Sequence, residues 1–76
     1  MNELEWINIF SNNLKDIINE ANMTETELAC EIGVDRSTIN NYIHKKRIPT
    51  IKSIINISYA LDCDIKDLID FGEPIE

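Results

Sequence analysis

Two short helical segments separated by one glycine constrain this chain more than any other feature. In "TETELACEIG", residues 24–33, Thr24 and Glu27 have the spacing of a capping box, in which each side chain accepts a hydrogen bond from the other residue's backbone N–H. Gly33 can adopt the left-handed conformation that ends a helix, which leaves only about two helical turns. After Val34, Asp35 is placed to cap a second segment, "RSTINNYIHK". The pattern predicts two short helices joined by a tight turn.

Apolar residues recur at spacings of three and four before this region, which predicts a first helix over about residues 3–21. Asn22 suits a left-handed stop, because Asn tolerates positive φ better than most residues. Pro49 then interrupts the chain, and Thr50 is a good cap for a fourth helix, "IKSIINISYALD". The inward side of that helix is predicted to comprise Ile51, Ile54, Ile55, Ser58 and Leu61.

A short fifth helix, "IKDLIDF", is predicted to be capped by Asp64 and ended by Gly72 and Pro74. Isoleucines are abundant in "SIINISYA", but apolar and polar residues do not alternate there as in a strand. We therefore expect an all-α fold, a compact five-helix bundle. The whole chain, residues 1–76, reads as a single domain with its core at about 10–70, an N-terminal extension of helix 1 at 1–9 and a short tail at 71–76.

The chain lacks the residue patterns of secreted, metal-binding or membrane proteins. Cys30 and Cys63 are too few and too isolated for a disulfide framework, and no spacing suggests a metal site. The N-terminus is acidic where a secretory signal would be basic, and no apolar run approaches the roughly 18 residues of a membrane span. We expect a cytoplasmic protein with no cofactor, no metal and no membrane partner.

Positive charge is concentrated in one part of an acidic chain. The formal net charge is −7, yet residues 35–52 sum to +4, so the remainder carries −11. Such a separation suits a molecule that presents one face to a polyanion while its other faces are repelled. Helical proteins also scatter charge unevenly by chance, so the charge alone does not decide the function.

The two short helices have the outline of a helix-turn-helix, which lays its second helix in the DNA major groove. Leu28, Ala29 and Ile32 would form the inner face of helix 2, Val34 would fill the turn, and Ile39 and Tyr42 would anchor helix 3. The chain from Phe10 to about Asp70 resembles the phage-repressor and Cro type of regulator, the XRE family. The fragments that carry this resemblance are "FSNNLKDII", "MTETELACEIGVDRSTINNYI", "KRIPT" and "ALDCDIKDLI". The resemblance implies a lambda-repressor-like domain that binds operator DNA, usually as a symmetric dimer.

The resemblance also implies which residues meet DNA. The family reads bases from the early exposed positions of helix 3, which here are Arg36, Ser37, Asn40 and Asn41. Their chemistry fits independently, because Arg can donate two bonds to guanine and Asn can pair bidentately with adenine. The residues placed to contact phosphates, which set the register without reading sequence, are Thr38, His44, Lys45, Lys46 and Arg47.

Three departures from the family pattern carry expectations. Glu25 stands where a Gln commonly reaches the DNA backbone, and a phosphate would repel its charge. Lys45 replaces a Gly after helix 3; a left-handed Lys would cost about 1–2 kcal/mol, so we expect the helix to continue for another residue or two. Ile18 and Ile43 replace an Arg–Glu ion pair, and we predict that these two side chains touch.

Two functions compete on this evidence. The first is a bacterial or phage transcriptional regulator, a repressor of the Cro-like kind, that binds a palindromic operator as a dimer without a small-molecule ligand. The second is an antitoxin-like or antirepressor-like module that binds a protein partner through its acidic surface, with DNA binding secondary or lost. Catalysis is not expected, because no nucleophile, base and orienting group can be assembled. Trp6 and Ile9 could form a dimer surface, as could helix 5, or they could pack back onto the same bundle.

Overall fold

The computed structural model describes residues 3–69, and the regular secondary structure within that range is all α-helix, with turns and short irregular segments between the helices. The five helices are α1 (Glu3–Glu20), α2 (Glu25–Ile32), α3 (Arg36–Ile43), α4 (Ile51–Ala60) and α5 (Ile65–Ile69). Helix α2 packs on α3 and α4, and α1 packs on α3 and α5, while α5 also contacts α4. The predicted all-α bundle is confirmed. The predicted stop at Gly72 and Pro74 lies outside the described residues.

The predicted start of α2 is confirmed at atomic level. The Glu27 N–H donates to the Thr24 hydroxyl oxygen at 3.0 Å, and the Thr24 N–H donates to the Glu27 carboxylate at 2.9 Å. Gly33 follows the helix at φ 73°, and a Cβ built there would meet nothing within 4 Å. The requirement for glycine is therefore one of backbone conformation, not of space.

Four helices end in the same way, and only one of them ends with glycine. Beyond α1, α2, α3 and α4 the chain passes through a left-handed residue, respectively Asn22, Gly33, Lys45 and Asp62. At each end, two backbone N–H groups turn back to the last carbonyls in the Schellman pattern, as when the Lys46 N–H donates to the Asn41 carbonyl at 2.8 Å. These bonds satisfy carbonyl groups that a helix end otherwise leaves without a partner.

The expected continuation of α3 through Lys45 is wrong. The helix ends at Ile43, and Lys45 adopts φ 63°, the left-handed conformation that the sequence argument rejected for a lysine. The Schellman bonds and the turn towards the buried Pro49 favour this stop over continuation. Asp35 does occupy the N-cap position of α3, but its side chain makes no capping hydrogen bond.

The inward side of α4 also differs from the prediction. Ile54, Ser58 and Leu61 are buried as expected, but Ile51 is 78% exposed and Ile57 is fully buried in its place. Positions 54, 57 and 61 form the inward stripe at spacings of three and four, and Ile51 lies to one side of it in the first turn. The helix also ends at Ala60, two residues before the predicted Asp62.

One core joins all five helices. Its buried members are Phe10, Leu14, Ile18, Leu28, Ala29, Ile39, Tyr42, Ile54, Ile57, Leu61 and Leu68. Trp6 packs against this cluster, with its ring stacked on Phe10 at a centroid distance of 5.9 Å, so it folds back onto its own bundle. None of the helices described is long and apolar enough to cross a membrane.

Candidate nucleic-acid interface

Helix α3 is held to the bundle by its inner face. Ile39 is fully buried and Tyr42 is 3% exposed, both within the shared core. These two positions lie three residues apart, on one side of the helix. The opposite side of α3 is therefore turned away from the core.

Polar and aromatic contacts fix the C-terminal end of α3 against two neighbouring helices. The Ser11 hydroxyl of α1 donates to the Tyr42 backbone carbonyl at 2.5 Å, and both groups are buried. The rings of Phe10 and Tyr42 meet edge to face at 6.0 Å. The Tyr42 hydroxyl donates to the Ser53 hydroxyl of α4 at 3.3 Å. Since buried polar groups in such a setting have few alternative partners, these contacts define the rotation of α3 about its axis.

The four predicted base-reading residues share the outer face of α3. At 100° per residue, Arg36, Ser37, Asn40 and Asn41 fall within an arc of about 140°. Arg36 and Ser37 are exposed, whereas Asn40 and Asn41 are half-buried. The structure thus brings together the guanidinium, hydroxyl and amide groups that the sequence analysis selected. Their role in reading bases stays a prediction.

The five predicted phosphate-contacting residues flank this face. Thr38 is half-buried on the side of α3, and His44 is the C-terminal cap residue. Lys45, Lys46 and Arg47 follow in the exposed turn, where the left-handed backbone at Lys45 redirects the chain. Lys52, which the sequence analysis counted only as charge, is also exposed, in the first turn of α4.

A cleft of about 260 Å³ runs beside α3, between α1 and the start of α2. Its lining residues are Lys15, Ile18, Asn19, Glu25, Ile43 and His44. Ile18 and Ile43, which we predicted to touch, line this one cleft, and Ile43 packs against the core that contains Ile18. The two residues therefore lie on the same cleft, and direct contact between their side chains stays a prediction.

A family comparison decides how this arrangement is classified. The model of the Cro/C1-type helix-turn-helix DNA-binding domain matches residues 13–73. The chain belongs to this family. The match contains α2, the turn at Gly33 and α3, so the two short helices of this Cro/C1-type domain are its helix-turn-helix.

A solved structure gives independent support. The Cro/C1-type domain is similar to the solution structure of LexA from Eubacterium rectale, described as an SOS-response transcriptional repressor, with a TM-score of 0.80 and 29% sequence identity. The similarity covers 93% of this chain and 77% of that chain. A search of curated proteins finds no match.

Sequence reasoning missed one contact on the helix-turn-helix. The Asn40 side-chain amide donates from Nδ2 to Oε1 of Glu25, the first residue of α2, at 3.2 Å. The two residues were singled out separately, one as a base reader and the other as a departure from the family. The two residues are fifteen positions apart in sequence and meet because α2 and α3 cross. The spacing of residues within either helix does not predict this contact.

An acidic groove lies away from α2 and α3. It is lined by Asn13, Asp16, Ile17, Glu20, Ala21, Leu61, Asp62, Cys63 and Asp67, and its volume is about 590 Å³. Burial, followed by the nearby carboxylates of Asp67, Asp64 and Asp62, raises the pKa of the Cys63 thiol. Among the described residues, no group of three or more His, Cys, Asp or Glu is arranged to hold a metal ion.

Proposed function

We propose that this protein is a sequence-specific DNA-binding transcriptional regulator that inserts α3 into the major groove. The observation that carries the proposal is the two-sided character of α3, which buries Ile39 and Tyr42 while turning Arg36 and Ser37 outward. Membership of a DNA-binding domain family and the likeness to a transcriptional repressor support it. We propose repression, by occupancy of an operator, as the mode of regulation.

Base contacts come from the outer face of α3. The Arg36 guanidinium can donate two parallel hydrogen bonds to guanine O6 and N7, and an Asn41 amide can pair with adenine N6 and N7. The Ser37 hydroxyl can donate or accept, so it adapts to either kind of base edge. Buried anchors keep the backbone of α3 fixed, so these side chains meet the groove without reorganising the fold.

Phosphate contacts come from the end of α3 and the turn that follows. Lys45, Lys46 and Arg47 are exposed within three consecutive positions, and His44 precedes them. Cations that neutralise phosphates release counterions, which supplies affinity that depends on salt but not on sequence. Thr38 adds a hydroxyl donor on the flank of the helix.

A symmetric dimer is the form in which we propose that the protein binds. Two copies of α3 would then enter successive major grooves about 34 Å apart, and the operator would be palindromic. Helix α5 is the better candidate for the dimer contact, because Ile65 is 40% exposed there whereas Trp6 packs against Phe10 of its own subunit.

Selection from a random duplex pool, followed by fluorescence anisotropy across a salt series, tests the proposal. Arg36→Ala should cost about 1–3 kcal/mol at one base position, whereas Lys46→Ala should weaken all sequences alike and reduce the salt slope by about one. Palindromic recovered sites would support the dimer. If Arg36→Ala leaves affinity and base preference unchanged, α3 is not the reading helix.

The competing function, a protein-interaction module, is favoured by the acidic groove that contains Asp16, Glu20 and Asp67. A basic protein partner would complement those carboxylates. The same salt series separates the two functions, because a module that does not bind DNA shows no steep dependence of duplex affinity on salt.

A further inference from the structure

The contact between Glu25 and Asn40 determines which way the Asn40 amide faces. An ionised carboxylate only accepts hydrogen bonds, and an Asn side chain has its donor and acceptor on opposite branches. Since Oε1 of Glu25 lies 3.2 Å from Nδ2 of Asn40, the NH₂ group must face α2 and the carbonyl oxygen Oδ1 must face away from Glu25. The reverse orientation would bring two acceptors together.

The groups that remain on Asn40 form a directional pair. One Nδ2 hydrogen is used by Glu25, which leaves the second hydrogen as a donor and Oδ1 as an acceptor. Adenine presents the complementary pair in the major groove, with N7 accepting and N6 donating. Asn40 lies one turn from Arg36 and next to Asn41 on the outer face of α3, so this half-buried residue belongs to the predicted reading surface.

We infer that Glu25 is a positioning residue for base recognition: it locks the Asn40 amide in one orientation, so that Asn40 selects adenine at one operator position. This inference rests on the proposed function of α3. It also explains the acidic residue at the start of α2, where the family resemblance led us to expect a Gln. The charge that a phosphate would repel is retained because a carboxylate, unlike an amide, cannot tolerate a flipped Asn40.

Two substitutions at Glu25 separate orientation from charge. Glu25→Gln preserves the length of the side chain but can either donate or accept, so it permits both orientations of the Asn40 amide and also removes a negative charge. Glu25→Asp preserves the charge but withdraws the carboxylate by roughly 1.5 Å, one C–C bond, which breaks the contact. Asn40→Ala identifies the operator position that Asn40 reads.

The experiment measures the affinity of the full chain for the selected duplex and for the three base changes at every position of one half-site. Bidentate reading corresponds to about five- to 150-fold discrimination. We expect Asn40→Ala, Glu25→Gln and Glu25→Asp all to lose discrimination at the same single position, by about fivefold or more. Only Glu25→Gln should also raise the affinity by a common factor for duplexes that differ at the other positions, since it alone removes the repulsion of phosphate.

A measurement without DNA checks the contact itself. In ¹⁵N–¹H spectra at one fixed pH, the chemical shift of the Asn40 side-chain amide should differ between the wild-type protein and Glu25→Asp, because that variant breaks the contact. The inference is overturned if the chemical shift of the Asn40 amide is the same in the wild-type protein and in Glu25→Asp, or if both Glu25 variants retain full discrimination at the position that Asn40→Ala affects. Wild-type protein that selects no duplex would instead refute the proposed function of α3, and this inference with it.

Discussion

Replacement of Lys45 by glycine should stabilise the fold and lower the affinity of the protein for DNA. Lys45 has φ 63° in the Schellman turn that ends α3, a conformation that glycine adopts freely and that costs other residues about 1–2 kcal/mol. Glycine also makes the unfolded chain more flexible, which offsets about 0.4–1 kcal/mol of this gain. The expected net effect of Lys45→Gly is an increase in the free energy of unfolding of about 1 kcal/mol or slightly less.

Such a change is measurable in a domain of this size. A gain of 1 kcal/mol raises the melting temperature of a 60–100-residue domain by roughly 4–8 °C. Thermal unfolding followed by circular dichroism at 222 nm, the usual helix wavelength, provides the measurement. Lys45→Gln is the matched control, because it removes the same charge but keeps a Cβ and therefore the backbone cost.

The comparison between the two variants separates the effect of the backbone conformation on stability from the effect of the lost charge. Lys45→Gly should melt several degrees above Lys45→Gln, and both should show a shallower salt dependence of DNA affinity than the parent protein, because each loses one cation beside α3. Equal melting temperatures for the two variants would refute the left-handed turn at Lys45. In that case α3 would continue past Ile43, as the sequence argument first suggested.

Three further predictions concern stability and thiol chemistry. Thr24→Ala removes one half of the capping box and should lower the free energy of unfolding by about 0.5–2 kcal/mol in urea titrations, whereas Thr24→Ser should retain most of the stability. Leu28→Ala opens a cavity at a fully buried position and should cost about 2–5 kcal/mol in the same assay, with Leu28→Met costing less than about 1.5 kcal/mol. Because burial and neighbouring carboxylates raise the pKa of Cys63, its thiolate fraction at pH 8 is small, so a disulfide reagent should label the exposed Cys30 first. The rate at Cys63, measured in Cys30→Ser, should increase as the pH rises towards that raised pKa; equal labelling rates at pH 8 would contradict this account.

Most of the fold could be predicted because pairs of residues that are close in sequence specify where helices begin. Thr24 with Glu27 and Thr50 before Ser53 each place a hydroxyl oxygen three residues before the N–H that it accepts from, and both bonds form. Helix ends were harder to predict, because residue preference argued against a left-handed Lys45. Backbone hydrogen bonds and the direction of the following segment outweighed that preference.

The spacing of apolar residues in the sequence could not predict which residues of α4 are buried. Isoleucine occupies positions 51, 54, 55 and 57, so apolar residues surround much of the helix, and more than one inward stripe is consistent with the pattern. Packing against α2 and α5 selects the stripe that contains Ile57 and leaves Ile51 exposed. The outer face of α3 could be identified from the family resemblance, but the contact between Glu25 and Asn40 required the crossing of two helices.

The uneven charge of the molecule also affects how closely bound copies can be spaced along DNA. Exposed cations cluster from Arg36 to Lys52, whereas the groove formed by α1 and the α4–α5 turn carries carboxylates. If the protein binds DNA as proposed, copies that are not partners in one dimer would repel each other wherever these carboxylates come close, and this repulsion would oppose a continuous coat of protein on the duplex. Bound copies should therefore occupy separate operator sites, and copies bound to non-specific DNA should dissociate quickly.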